Sequence, residues 1–83
     1  MRLDKFLKVS RVIKRRTVAN DVCSQGRVTV NGRTAKPSVK LKVGDVVSIA
    51  FGNGLVTFKV LSIEQTVRKE DASSMYEIIE DTL

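Results

Sequence analysis

Apolar residues recur at helical spacing from the start of the chain. Leu3, Phe6 and Leu7 stand at i, i+3 and i+4, which predicts an amphipathic helix over residues 2–9. That helix buries the trio and turns Arg2, Lys5 and Lys8 outward, and Asp4 is placed to pair with Lys8 at i+4 on the surface. Val9, Val12 and Ile13 continue through a connector broken by Ser10, with Arg11 joining the positive side if the connector folds back. A second helix is expected over residues 15–25, where Val18, Val22 and Cys23, with Ala19 between them, form a narrow stripe of small side chains facing a core. Gly26 should end it in a left-handed cap, Val28 to Val30 alternate as a strand, and Asn31-Gly32 supplies a tight turn.

Beyond that turn the period changes. Pro37 makes residues 33–42 an edge or a loop, in which Lys36, Lys40 and Lys42 can reach a backbone phosphate. Val43-Gly44-Asp45 reads as a turn and Val46 to Phe51 as a strand with Val47, Ile49 and Phe51 on one face. Gly52-Asn53-Gly54 signals a hairpin into a partner strand, Leu55 to Ile63, both faces of which are partly apolar. From Gln65 onward the pattern shifts again, and Met75, Ile78 and Ile79 at helical spacing predict a short helix from about Asp71 to Glu80. The expected fold is α+β: N-terminal helices packed on a small, mainly antiparallel sheet over residues 28–63, with a short C-terminal helix.

A chain of 83 residues has room for one domain, residues 1–83, burying about 60% of its unfolded surface in one modest core. No apolar run approaches the length of a membrane span, and MRLDKFLKVSRVIKRR lacks the apolar core of a signal peptide, so a cytoplasmic protein with no membrane partner is expected. Cys23 is the single cysteine, and its place on the helix stripe makes it a small core residue.

Charge changes the picture more than composition does. Residues 1–42 hold 12 Lys/Arg against Asp4 and Asp21, a balance of +10, whereas residues 43–83 hold 3 against 7, a balance of −4. Such segregation points to a polyanion-binding surface in the first half. Lys14, Arg15 and Arg16 sit where the second helix starts and where its dipole disfavours cations, so an anion, a phosphate oxygen by expectation, should compensate them beside the free N–H groups of the first turn.

Catalysis has no candidate constellation. The chain contains no His, its carboxylates are scattered, and its glycines serve turns rather than a phosphate loop, so neither an enzyme, a cofactor nor a metal is expected. Tyr76 is better suited to packing than to base stacking, because no aromatic is interleaved with the basic run. Three readings stand: a structured-RNA binder gripping phosphates by shape, a DNA-binding helical protein, and a protein-interaction adaptor using the acidic part.

The run Arg15 to Gly32, with RLDKFL at Arg2 to Leu7 and with Arg11, Ala19, Gly26, Val28, Asn31, Gly32, Ala35, Lys36 and Pro37, resembles the S-four RNA-binding domain, also called the alpha-L motif. It is most similar to a branch of small stand-alone ribosome-binding proteins that act in ribosome quality control. Many members place Ser just before the arginine at position 16, where this chain has Arg15. The resemblance implies binding of large-subunit rRNA and of peptidyl-tRNA on obstructed 50S ribosomal subunits, beside a tRNA-recruiting quality-control factor that tails stalled chains with alanine. It also implies a monomer off the ribosome. The RNA-binding residues it points to, together with the charge pattern, are Arg2, Lys5, Lys8, Arg11, Lys14, Arg15, Arg16, Thr17, Arg27, Asn31, Lys36 and Lys40.

Overall fold

A computed structural model describes residues 1–52, 54–64 and 69–82. Two helices, α1 (Leu3–Val9) and α2 (Arg16–Ser24), lie with a five-stranded sheet of β1 (Val28–Val30), β2 (Arg33–Thr34), β3 (Val46–Phe51), β4 (Gly54–Val60) and β5 (Tyr76–Asp81). Sheet order is β2-β1-β3-β4-β5, and every pairing is antiparallel. The α+β expectation therefore holds.

Helix α1 buries Leu3, Phe6 and Leu7 completely, as their spacing requires. It stops at Arg11, whose φ of 62° lies in the left-handed region and whose N–H donates to the Lys8 carbonyl at 3.1 Å. Ser10, buried at the helix end, sends its hydroxyl to the Leu7 carbonyl at 3.5 Å. Helix α2 ends as its glycine foretells: Gly26 takes φ 74°, its N–H reaches the Cys23 carbonyl at 3.0 Å, and the Arg27 N–H reaches Val22 at 3.2 Å. Its buried stripe is narrower than the sequence suggests. Ala19 and Cys23, one turn apart, are buried and Val22 half-buried, while Val18, about 100° around the helix from Ala19, is 43% exposed.

The core lies between the helices and one sheet face. Val47 and Ile49 of β3 and Val56, Phe58 and Val60 of β4 point into it, which settles the face the sequence left open. Phe58 is its hinge: its ring stacks on Phe6 at 5.9 Å and meets Tyr76 edge-on at 5.5 Å, tying α1, β4 and β5 together. Tyr76 is thus a packing residue, as expected.

Two expectations fail toward the C-terminus. Strand β4 ends at Val60, short of Ile63, because the Leu61 and Ser62 N–H groups both turn to the Met75 carbonyl, at 2.8 and 3.2 Å. The helix expected over Asp71 to Glu80 is instead a 3-10 segment, Lys69–Met75, followed by β5. Met75 fits the helical reading, since it is buried; Ile78 and Ile79 do not, standing 46% and 57% exposed. The adjacent β-branched pair favours an extended chain, and the free edge of β4 offers it a hydrogen-bonding ladder, which outweighs a three-residue helical spacing. Asn53 of the expected hairpin turn lies outside the described residues.

Candidate nucleic-acid interface

The N-terminus is fastened to the loop that leaves β2. Leu3 N–H donates to the Val39 carbonyl (2.8 Å), Asp4 N–H to Pro37 (3.1 Å) and Leu41 N–H to Met1 (2.8 Å), so Arg2 and Lys40 face each other across an isolated antiparallel bridge. Pro37, which has no N–H to give, serves here through its carbonyl. Two cations 38 positions apart in sequence are brought side by side, and Lys36 is exposed on the same loop.

Asp4 organises this corner, and the sequence reading misplaced it. Rather than pairing with Lys8 at the surface, its side chain is only 3% exposed and accepts from Arg2 Nε and Nη2, both at 3.2 Å, and from the Lys5 N–H at 2.8 Å. Arg16 Nε stands 3.8 Å from its second oxygen. A carboxylate taken out of water costs several kcal/mol unless it is paired and hydrogen-bonded, and here the partners are two arginines whose other faces remain half exposed. On the helix wheel Asp4 lies about 60° beyond Leu7, at the margin of the buried arc, and it points to the incoming α2. The anion that compensates Arg16 at the start of α2 is therefore in part the protein's own.

Helix α2 begins at Arg16 with Arg15 as N-cap and no side-chain cap bond, consistent with the departure from Ser at that place. Its first-turn N–H groups, including those of exposed Arg16 and Thr17, have no intrahelical acceptors. Arg15 and Lys14 are exposed beside them. The structure thus gathers Arg2, Lys40, Arg16, Arg15 and Thr17 around Asp4 and the α2 start, with Lys5 half-buried on the next position of α1.

The remaining expected residues are dispersed. Lys8 and Arg11 are exposed at the far end of α1, and Arg27 is exposed at the α2–β1 junction. Asn31 is committed to structure: with φ 52° it forms the turn, its Nδ2 donates to Asp45 Oδ1 (3.1 Å), and its Oδ1 accepts the Val46 N–H (3.0 Å). Asp45 Oδ2 in turn accepts the Lys42 N–H at 2.9 Å, so Asn31 and Asp45 clamp the β1–β2 turn to the turn before β3. Lys42, expected with Lys36 and Lys40 to reach a phosphate, is exposed, and so is Arg33, which the sequence marks only by its place after the Asn-Gly turn. Cys23 is buried beneath α2, where burial and then the Asp4 carboxylate push its thiol up to about 11. It is packing material at neutral pH. Among the described residues no helix is long and apolar enough to cross a membrane.

A model of the S4 domain matches residues 1–47, the segment that contains both helices, the β1–β2 turn and the loop carrying Lys40. The chain is 60% identical over 82 residues to a Streptococcus pneumoniae protein named RQC P-site tRNA stabilizing factor, covering 99% of this chain and 93% of that one. A protein of the same name from Halalkalibacterium halodurans is 59% identical over 78 residues, covering 94% and 89%. Among solved structures, the trimeric heat shock protein 15 of Vibrio cholerae superposes with a TM-score of 0.86 at 30% identity, over 94% of this chain and 80% of that one. A match over more than half the chain and relatives alike over nearly all of it lead to one conclusion: this chain belongs to the S4 domain family.

Proposed function

We propose that the chain acts as one RNA-binding domain of the ribosome, gripping large-subunit rRNA and peptidyl-tRNA on obstructed 50S subunits during ribosome-associated quality control. The observation that carries this reading is the Asp4 corner: a buried carboxylate holds the Arg2 guanidinium by two hydrogen bonds and draws in Arg16 as an ion pair, both half exposed, next to the uncapped start of α2. Prepositioned arginines lose less side-chain entropy on meeting phosphate oxygens than free ones would. A-form RNA hides its deep groove, so phosphate and 2′-hydroxyl contacts by such a corner give recognition by shape. The names borne by the close relatives support P-site tRNA as one ligand.

In this reading the protein is a cytoplasmic binder and not an enzyme, a monomer off the ribosome, working beside a tRNA-recruiting factor that tails stalled chains with alanine. Contacts are assigned to Arg2, Arg16, Arg15, Thr17, Lys5, Lys36 and Lys40, with Lys8, Arg11, Lys14 and Arg27 adding long-range attraction and Asn31 holding the turn. The test is sedimentation of cell extracts: wild type should ride on free 50S particles carrying peptidyl-tRNA, and Arg16→Ala should leave that fraction. Equal association of wild type with 70S ribosomes, or with 50S particles stripped of tRNA, would sink the tRNA part of the reading.

A further inference from the structure

The RNA reading leaves the other edge of the sheet without a task. Strand β5 is last in the sheet order and pairs only with β4, so its outward N–H and C=O groups face away from every described strand. It runs for six residues, whereas the opposite edge, β2, has two. Its side chains are exposed after Tyr76, and they combine two aliphatics, Ile78 and Ile79, with the carboxylates Glu77 and Glu80. The segment 69–83 holds Lys69 against Glu70, Asp71, Glu77, Glu80 and Asp81, a balance of −4 in a chain whose net charge is +6.

We propose that the outer edge of β5 receives an extended, cationic segment of a partner protein as an added sixth strand. Backbone pairing would supply the ladder, Ile78 and Ile79 the apolar contact, and Glu77 and Glu80 the choice of partner. Charge decides among occupants. RNA is a polyanion and is repelled by this segment. A second copy pairing β5 against β5 would set rows of carboxylates against each other, which destabilises a strand pair. A strand of alternating Lys or Arg and aliphatic residues meets neither obstacle. The same carboxylates that protect an exposed edge from indiscriminate pairing thereby select a basic one. Tyr76, locked edge-on against Phe58, anchors the start of the strand.

The probe is an end-blocked peptide of about ten residues alternating Lys and Val, added to the isotope-labelled full chain, with amide shifts and hydrogen exchange read by NMR. The controls are the same peptide with alternate backbone amides N-methylated, and a Glu-Val peptide. The Lys-Val peptide should shift residues 76–82 and slow outward β5 amides roughly tenfold, while both controls leave them unchanged. The Glu77→Lys/Glu80→Lys variant, altered only at exposed positions, should keep its fold and bind the probe roughly tenfold more weakly. Equal binding of the N-methylated peptide would reduce the contact to charge adsorption and overturn the proposal. So would slow exchange of those amides in the free protein accompanied by a dimer in sedimentation, or no response at millimolar probe.

Discussion

The Asp4 corner and the β5 edge both combine carboxylates with structure, and they use them oppositely. At the corner the carboxylate is buried and its cations stand half in water, so the acid fixes the geometry of a basic surface. At β5 the carboxylates themselves stand in water on a strand with an open side. Buried charge costs desolvation and must be spent on position; exposed charge costs little and acts at a distance on whatever approaches. Net charge alone would merge these regions into one uniformly basic molecule.

The largest expected effect comes from cutting the link between them. Phe58→Ala removes the ring that touches both Phe6 and Tyr76, and should destabilise the protein by about 3–4 kcal/mol in urea unfolding, with α1 and β5 lost in one transition. If β5 alone came loose while the helices kept their melting point, the two regions would not share a core.

Removing both cations from Asp4 comes next. Arg2→Ala/Arg16→Ala leaves a buried carboxylate that still accepts from the Lys5 N–H but has lost both guanidiniums, and should cost about 2 kcal/mol, below the range for fully buried pairs because both arginines are half exposed. The slope of log affinity for rRNA against log salt should fall by up to about two units, and by up to about one for Arg16→Ala alone. An unchanged slope would move the phosphate contacts elsewhere. Glu77→Lys/Glu80→Lys, by contrast, should stay within about 0.5 kcal/mol of wild type in stability.

Arg11 offers a smaller and signed effect. Its left-handed backbone is one that glycine adopts freely, so Arg11→Gly should match wild-type stability or exceed it by up to about 1 kcal/mol while weakening RNA binding. A pH effect from Cys23 is confined to alkaline solution. The folded thiol holds its proton to about 11 and the unfolded one to 9.0, so the unfolded chain loses it first and stability falls as pH rises between those values. Cys23→Ala should show a shallower alkaline decline than wild type in parallel thermal melts.

What the sequence disclosed followed from local rules. Leu3, Phe6 and Leu7 gave α1, Gly26 gave the α2 cap, Asn31-Gly32 gave the turn, and alternation over Val46 to Phe51 gave the buried face of β3. What it concealed depends on contacts between distant positions. Asp4 looked like a helix-surface partner because Lys8 is four residues away, whereas Arg16 reaches it only once α2 packs on α1. Asn31 was legible as a turn residue, but its clamp on Asp45, fourteen positions on, was not. Ile78 and Ile79 fitted a helix in isolation, and only the free edge of β4 makes them a strand. The basic half was legible as a binding surface, but not which of its cations are fixed.

The central claim is that Asp4 contributes position and not charge, and one substitution separates the two. Asp4→Asn keeps the side-chain shape, makes the protein one unit more positive, and weakens the hold on Arg2 and Arg16. Its affinity for 50S particles should be measured by filter binding at two salt concentrations, beside circular dichroism to verify the fold. The account predicts weaker binding than wild type at both, by roughly fivefold or more, despite the added positive charge. Binding as tight as wild type or tighter would contradict it and leave bulk charge as the sufficient explanation.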